Sequence, residues 1–596
     1  MSLADGERRS APYRPLPLDG GRPRVRFTRG RSWPRAVAWF GIRSFWGHLR
    51  HFVASGIATE NIDSRDWMSP DPPDELVERV ARALGGLEAP SLSEALDDEI
   101  WIDFLADTGD DADVSRAVAE MVFAEYELPD PERPGRWIRA PRGDLLVFGG
   151  DTAYPVATAE EINNRVVVPF NQVLAQRNDG KARVLLGIPG NHDWYDGLDG
   201  FGRMFRRRPD APSGASMRPS VVAVERRQLE HAADWAKGLM LGRMVKKLPA
   251  LVLDGYTTVQ NASYFALPLS EHVHLIAVDR QLKQIDFRQR VYFRDWLAQH
   301  RKVLPLVMIP DPVLQFGLES PSGRGAVSAI GLRLGAKPHL ILSGDLHHYQ
   351  RWSEGLSQHV VAGGGGAFLH PTGQRDLPSQ RGSKAWPDRR QSRALLAAVP
   401  WRVMLGRAGF LPHVVVLLLL LPLLDRYQRL HVRLLEEPWR IAVTALAAAV
   451  VLALIGGVRK GEAVAIAALA ALAGAGIAVL PVGVAVAVAA VPWTLPLGWL
   501  SDLLILVGAA FGGALLFGGY LTALTAFGLE HTQAFTTLGH PGFKHFLRLR
   551  LRRDGRTLDV WCIGREDPLG GQPPVLVDHF TWPSEGDPDR PRDGEA

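Results

Sequence analysis

One cysteine, Cys562, in 596 residues excludes an internal disulfide framework and makes a zinc site built on thiolates untenable. That usage fits a reducing compartment. Charge of one sign is lacking as well: 68 Lys and Arg oppose 64 Asp and Glu, so no nucleic-acid partner is expected from the global balance. The N-terminus is polar and rich in arginine, with no apolar core followed by small residues, so no cleavable signal peptide is expected. A chain this long exceeds one hydrophobic core. Two or three domains are expected.

Charge that balances globally is concentrated locally. Arginines with interspersed Pro and Gly dominate from Arg8 to Arg50, and residues 1–35 read as a flexible basic arm near anionic lipid or nucleic acid or, equally, as a solvated tail. In the lead-in 36–100, Trp39, Ile42, Trp46, Leu49 and Phe52 recur at helical spacing with Arg43, His48, Arg50 and His51 between them. This suits a helix lying in a membrane interface, or one packed on a soluble domain.

From Trp101 onward, short apolar runs alternate with helical stretches. Ile102 to Leu105, Leu145 to Phe148, Val184 to Leu186, Val273 to Val278, Leu306 to Ile309 and Leu340 to Leu342 read as strands covered on both faces. Ser115 to Tyr126 and Phe287 to His300 are long enough for crossover helices. Residues 101–400 thus form an α/β domain, with an Arg-rich helical excursion from Gly202 to Lys247.

Composition changes completely across 409–529. Phe410 to Leu424, Ile441 to Val458, the uncharged block Ala463 to Leu500, and Leu503 to Leu529 are apolar on all sides, unlike helices of a soluble core. A span needs about 20 apolar residues, so the uncharged block holds one span or two broken at Pro481. Four or five spans result.

Beyond them, Phe546 to Leu551 alternates, Arg553-Asp554-Gly555-Arg556 supplies a turn, and Leu558 to Ile563 follows: a β-hairpin in 531–582. An isolated hairpin is marginal in water, so it should complete the earlier sheet. Both ends of the apolar block then lie on one side, and the expected number of spans is four. Arg402, Arg407, Lys544, Arg548, Arg550, Arg552 and Arg553 flank the block and place the soluble parts in the cytoplasm, while Arg426, Arg429 and Arg433 argue the other way. The tail 583–596 is expected to be disordered.

Four strands each end in a polar cluster: Asp107-Thr108-Gly109-Asp110, Gly149-Gly150-Asp151, Gly190-Asn191-His192-Asp193 and Gly344-Asp345-Leu346-His347. Any one of them alone reads best as a turn or a helix cap. Together they deliver carboxylate and imidazole donors to one sheet edge, as a two-metal site requires.

In this order the four motifs resemble those of the calcineurin-like metallophosphoesterases. Trp101 to Asp110, Gly149 to Pro155 and Gly363 to Thr372 look like a membrane-anchored branch of that superfamily. The resemblance covers about Trp101 to Thr372 and, more loosely, His531 to Ile563. It implies a metallophosphoesterase-type α/β/β/α sandwich with an inserted transmembrane block of about four helices. It implies two divalent metal ions, with Asp151 bridging, Asp107 and His347 on the first, and Asn191 and Asp345 on the second. It further implies a bridging hydroxide attacking phosphorus and His192 as general acid, oriented by Asp193.

The departures are specific. Gly109 and Asp345 stand where the superfamily usually has histidines, and Pro310-Asp311-Pro312 stands where a ligand histidine is expected. Either Asp110 and Asp311 supply oxygen donors, favouring Mn, Fe or Mg over Zn, or the second metal is weak. His370 reads as metal-facing or loop-structuring, and His348 and Tyr349 as pocket-lining or, more readily, packed. The leading expectation is a membrane-anchored phosphoesterase acting at the lipid bilayer on a phosphoester, lipid-linked or membrane-proximal. The alternative is a non-catalytic metal- or phosphate-binding membrane protein.

Overall fold

The computed structural model describes residues 30–41, 69–208, 251–282, 285–373, 383–424, 438–457, 461–491 and 498–583. The expected interfacial helix beyond Gly41, the excursion beyond Arg208, most of the basic arm and all but the first residue of the tail lie outside these.

The described residues form seventeen strands: β1 Ile100–Leu105, β2 Tyr126–Pro129, β3 Trp137–Ala140, β4 Leu145–Phe148, β5 Arg183–Gly187, β6 Tyr256–Thr258, β7 Phe265–Pro268, β8 Val273–Ala277, β9 Leu304–Ile309, β10 Leu314–Gln315, β11 Leu318–Glu319, β12 Gly335–Ser343, β13 Tyr349–Ala362, β14 Lys384–Trp386, β15 Lys544–Leu551, β16 Leu558–Arg565 and β17 Val575–Trp582. A seven-stranded sheet runs β17-β16-β15-β1-β4-β5-β6, and a six-stranded sheet runs β14-β13-β12-β9-β8-β7. Within the first, β1, β4, β5 and β6 are parallel. Within the second, β8, β9, β12 and β13 are parallel.

The apolar runs are unbroken because both faces of these strands are covered. Phe104, Val147 and Leu186 of one sheet and Leu275, Met308 and Leu342 of the other share one core. On the outer faces, the helices Ala112–Val122 and Val168–Leu174 pack on Phe148 and Leu185, and Phe293 and Val327 of the helices Phe287–Gln299 and Pro321–Ala329 pack on Val307 and Ile341. The layers are therefore helix, sheet, sheet, helix. The helices start where the sequence caps them: Asp111 accepts from the Asp113 and Val114 amides, and Asp286 from the Gln289 amide.

The longest strand, β13, escapes a reading by alternation because Glu354-Gly355 interrupts its period of two. β17 escapes it because Asp578 and His579 break the apolar pattern where the pairing with β16 shifts register.

β15 lies antiparallel to β1, with Ile100 opposite Leu551 and Phe104 opposite Leu547. The strand that follows the apolar helices is thus the neighbour of the first strand of the domain. Among the described residues three helices, Pro438–Gly456, Ala463–Val488 and Trp499–Ala526, are long and apolar enough to cross a membrane. Pro481 sits inside one continuous helix, Ala463–Ala489, rather than between two. Leu411–Leu424 has 14 residues and rises about 21 Å, less than a typical hydrocarbon core. Small residues bring these helices close: a Cβ on Gly474 would lie 2.7 Å from the Ala445 carbonyl.

Candidate metal centre

Three of the predicted aspartates follow parallel strands directly and share an uncommon backbone. Asp107, Asp151 and Asp345 have φ of 59°, 49° and 64°, the left-handed region that aspartate tolerates better than most side chains. This turns each strand end sharply and sends the carboxylate back across the sheet edge. The Asp345 amide donates to Asp107 Oδ2 at 2.9 Å, joining the end of β12 to that of β1.

Around Asp107 the acceptors are crowded. Tyr154 Oη lies 2.9 Å from Asp107 Oδ1, 3.3 Å from Asp151 Oδ2 and 3.0 Å from His347 Nε2. One hydroxyl proton serves only one of these. His347 Nδ1 is 2.7 Å from the Phe368 carbonyl, which fixes the proton on Nδ1 and leaves the Nε2 lone pair facing Asp107 Oδ1 at 3.4 Å. Burial, with Lys544 adding to it, holds His347 down to about 3, so the ring stays neutral.

Two acceptors face to face with a shared hydroxyl between them fit a cation. The carboxylates point the same way. Burial, opposed by hydrogen bonds from Tyr154 and the Asp345 amide, pushes Asp107 up to about 8. Asp151 is raised by burial and by Asp107, and Asp345 by burial and by Asp311. A divalent ion would reverse these shifts. Among the described residues no group of three or more His, Cys, Asp or Glu side chains is already closed into a metal-binding arrangement.

His192 and Asn191 stand at the rim on the one-turn helix Asn191–Trp194. Gly190 before it must be bare, since a Cβ there would lie 2.1 Å from Asp151 Oδ1. The His192 amide donates to that same oxygen at 2.9 Å. Asn191 Nδ2 donates to Tyr195 Oη at 3.1 Å. The expected pairing of Asp193 with the His192 ring is replaced by another. Asp193 Oδ2 accepts from the Gly190 amide at 2.9 Å and both its oxygens face the Thr152 amide, while His192 Nδ1 lies 2.7 Å from the Pro155 carbonyl. The aspartate builds the loop, and a backbone carbonyl orients the imidazole.

The substitutes proposed for the missing histidines are engaged elsewhere. Asp110 Oδ1 accepts from the Val37 amide at 2.7 Å, tying down the N-terminal segment. Gly109 has φ +61° and a Cβ there would lie 2.6 Å from the Thr152 carbonyl, so the loop has no room for a histidine. Asp311 Oδ1 lies 2.9 Å from Arg280 Nε, and its Oδ2 accepts from Ser322 Oγ at 2.6 Å. His370 stacks on His347 with centroids 4.0 Å apart, and its Nδ1 accepts from the His347 amide at 3.1 Å. His348 is fully buried with Nε2 3.1 Å from Gln350 Oε1, and Tyr349 Oη donates to Asp578 Oδ2 at 2.7 Å. Both are packed inside the domain.

Three functional candidates escape a strand-by-strand reading. For Tyr154 the available signal is its place three residues after Asp151 in the same loop. Arg280 follows β8 just as the aspartates follow their strands. Lys544 carries no signal; it is fully buried, its Nζ has no hydrogen-bond partner among the described residues, and burial pushes it down to about 7 against the pull of Asp110 and Asp107.

Trp39 closes over the group, its ring 6.1 Å from those of Tyr154 and His192 and 5.4 Å from that of Phe368. Next to it, Phe40 packs on Phe517 of the helix Gly498–Ala526, and its amide donates to the Ala408 carbonyl at 3.1 Å. Two consecutive residues therefore connect the group to the apolar block.

Fold and group together define a mixed α/β protein that carries a block of apolar helices. No family model matches the chain, and no curated protein does. Among solved structures it is similar to GAP50, the anchor in the inner membrane complex of Plasmodium, at 12% identity and a TM-score of 0.27, over 47% of this chain and 76% of that one. It is also similar to PhoD at 11% identity and a TM-score of 0.24, over 46% of this chain and 58% of that one. At these scores neither likeness bears on activity.

Proposed function

We propose that the chain is a membrane-anchored, metal-dependent phosphoesterase. The observation that carries this is the convergence of Asp107, Asp151 and the bare Nε2 of His347 on the Tyr154 hydroxyl, with Asp345 bonded to Asp107. Asp107, Asp151, Tyr154 and His347 would hold one divalent ion, and Asp151, Asn191 and Asp345 a second, with Mn, Fe or Mg suited to this oxygen-rich set. Bound there, such ions supply Lewis acidity, activating water and absorbing charge on the phosphoryl oxygens. His192, oriented by the Pro155 carbonyl at the exposed rim, donates the proton to the leaving group.

The domain sits on the cytoplasmic side by the basic residues Arg402 and Arg407, with four passes. Four passes follow if β14 and β15 lie on one side of the bilayer and Leu411–Leu424 crosses beside the three longer helices. Trp39 and Phe40 bring the bilayer to the site, which suits a lipid-linked or membrane-proximal phosphoester.

The test is hydrolysis of aryl phosphates by the full chain in detergent with added Mn, comparing wild type with Asp151→Asn and His192→Ala. Loss of at least roughly a hundredfold in both is expected. Equal rates in all three would remove the catalytic assignment. The pairing of Asp311 with Arg280 favours one other reading, a non-catalytic metal- or phosphate-binding membrane protein, which predicts no turnover with any of these metals.

A further inference from the structure

The strand ends of the two sheets meet in facing pairs. The end of β1 meets that of β12 through the Asp345 amide and Asp107. The end of β4 faces that of β9, since a Cβ on Gly150 would lie 3.1 Å from Pro310 Cβ. The residues after β5 meet those after β8 through Trp194 Nε1, which donates to Asp279 Oδ1 at 2.9 Å. All six ends carry an amide or a carboxylate within the next few residues, and the one after β8 adds a guanidinium, Arg280, directly after Asp279.

Arg280 is held without being used up. Its Nε lies 2.9 Å from Asp311 Oδ1, close enough to pair by charge though not aligned as a hydrogen bond, and its Nη1 donates to the Leu282 carbonyl at 3.3 Å. Nη2 has no partner among the described residues. The side chain is 18% exposed, and Asn191, His192 and Asp345 are half-buried like it. Its charge acts on Asp345, against the carboxylates around it. A fixed cation at this point favours an anion beside it. Asp311, where the resemblance expected a metal ligand, instead fixes the orientation of the guanidinium fork.

We propose that Arg280 binds the phosphoryl group of the ligand, gripping an unesterified oxygen through Nη2 on the Asp311 side of the site, with Asp311 as its positioning residue. The proposal rests on the phosphoesterase reading for the identity of the ligand, but not for its test. A guanidinium suits this task because it stays charged and presents donors in a rigid fork.

The experiment is calorimetric titration of inorganic phosphate into the full chain in detergent with Mn present, for wild type, Arg280→Met, Arg280→Lys and Asp311→Asn. Arg280→Met should weaken phosphate binding roughly ten- to a hundredfold, as loss of a charge-assisted hydrogen bond does. Arg280→Lys should recover part of that affinity, and Asp311→Asn should keep or tighten it, because a competing carboxylate is neutralised. If the pair is only structural, Arg280→Met and Asp311→Asn will lower the unfolding temperature alike and leave phosphate affinity equal, and the proposal falls. No phosphate binding by wild type also overturns it. If wild type binds phosphate through Arg280 yet hydrolyses no ester, this inference stands and the enzymatic reading fails. If wild type hydrolyses esters with KM and phosphate affinity indifferent to Arg280→Met, the reverse holds.

Discussion

Arg548 Nε donates to Asp103 Oδ1 at 2.7 Å with both side chains fully buried, across 445 positions of sequence that include the whole apolar block. Arg548 Nη2 also donates to Asp103 Oδ2 and to the Val122 carbonyl. The pair fastens the strand after the apolar helices to the first strand of the domain. Arg548→Met should therefore strand a buried carboxylate and cost about 3–5 kcal/mol. Thermal unfolding in detergent checks this. Adding Asp103→Leu to Arg548→Met should restore most of the loss, and a double variant as unstable as the single would show that the arginine acts through its packing alone.

Tyr154→Phe removes one oxygen and keeps the ring, which lies 4.4 Å from that of His192. Affinity for Mn, measured by equilibrium dialysis, should fall at least roughly tenfold, as when a partner of a metal ligand is lost. Unfolding without metal should move by no more than about 1 kcal/mol. Unchanged Mn affinity would take the phenol out of the donor set.

The N-terminal segment is stitched to the domain by a row of aspartates. Asp111 Oδ2 accepts from the Ala36 amide at 3.0 Å and Asp113 Oδ2 from the Ser32 amide at 2.7 Å. The double variant Asp111→Ala, Asp113→Ala should release residues 30–41, raising their amide exchange rates, and should cost about 1 kcal/mol more through the lost helix cap at Asp111. Exchange as slow as in wild type would mean that Trp39 and Phe40 hold the segment by themselves.

His274 on β8 is buried against Trp296, and burial with His300 holds it down to about 4 from an ordinary 6.5. Between these values the unfolded chain takes up a proton that the folded chain refuses. Stability from this group is complete above pH 6.5 and is lost as pH falls toward 4, by about 3 kcal/mol in all. His274→Gln should flatten the fall of the unfolding midpoint across that window by one proton's worth. A slope equal to that of wild type would show that the ring is solvated in the folded protein.

Much of this architecture is legible along the chain because the signals are local. A short apolar run closed by an aspartate, as at Leu145 to Asp151, marks a covered strand and the polar turn after it. An all-round apolar stretch such as Ala463 to Ala489 marks a helix long and apolar enough to cross a membrane, by length and composition alone. Facts made by distant neighbours are not legible. Asp110 and Asp311 have the right chemistry for a metal site and Asp193 for holding an imidazole, yet their carboxylates are engaged by the Val37 amide, Arg280 and the Gly190 amide.

By itself the sequence determined which residue types reach the strand ends and which segments are too apolar to remain in water, because both follow from side-chain periodicity and transfer energy. Only the tertiary structure decided which of those residues meet. Packing two sheets face to face set Tyr154 among Asp107, Asp151 and His347 and drew Asp311 to Arg280, since a carboxylate buried away from water must take whichever donor or cation the fold brings within reach.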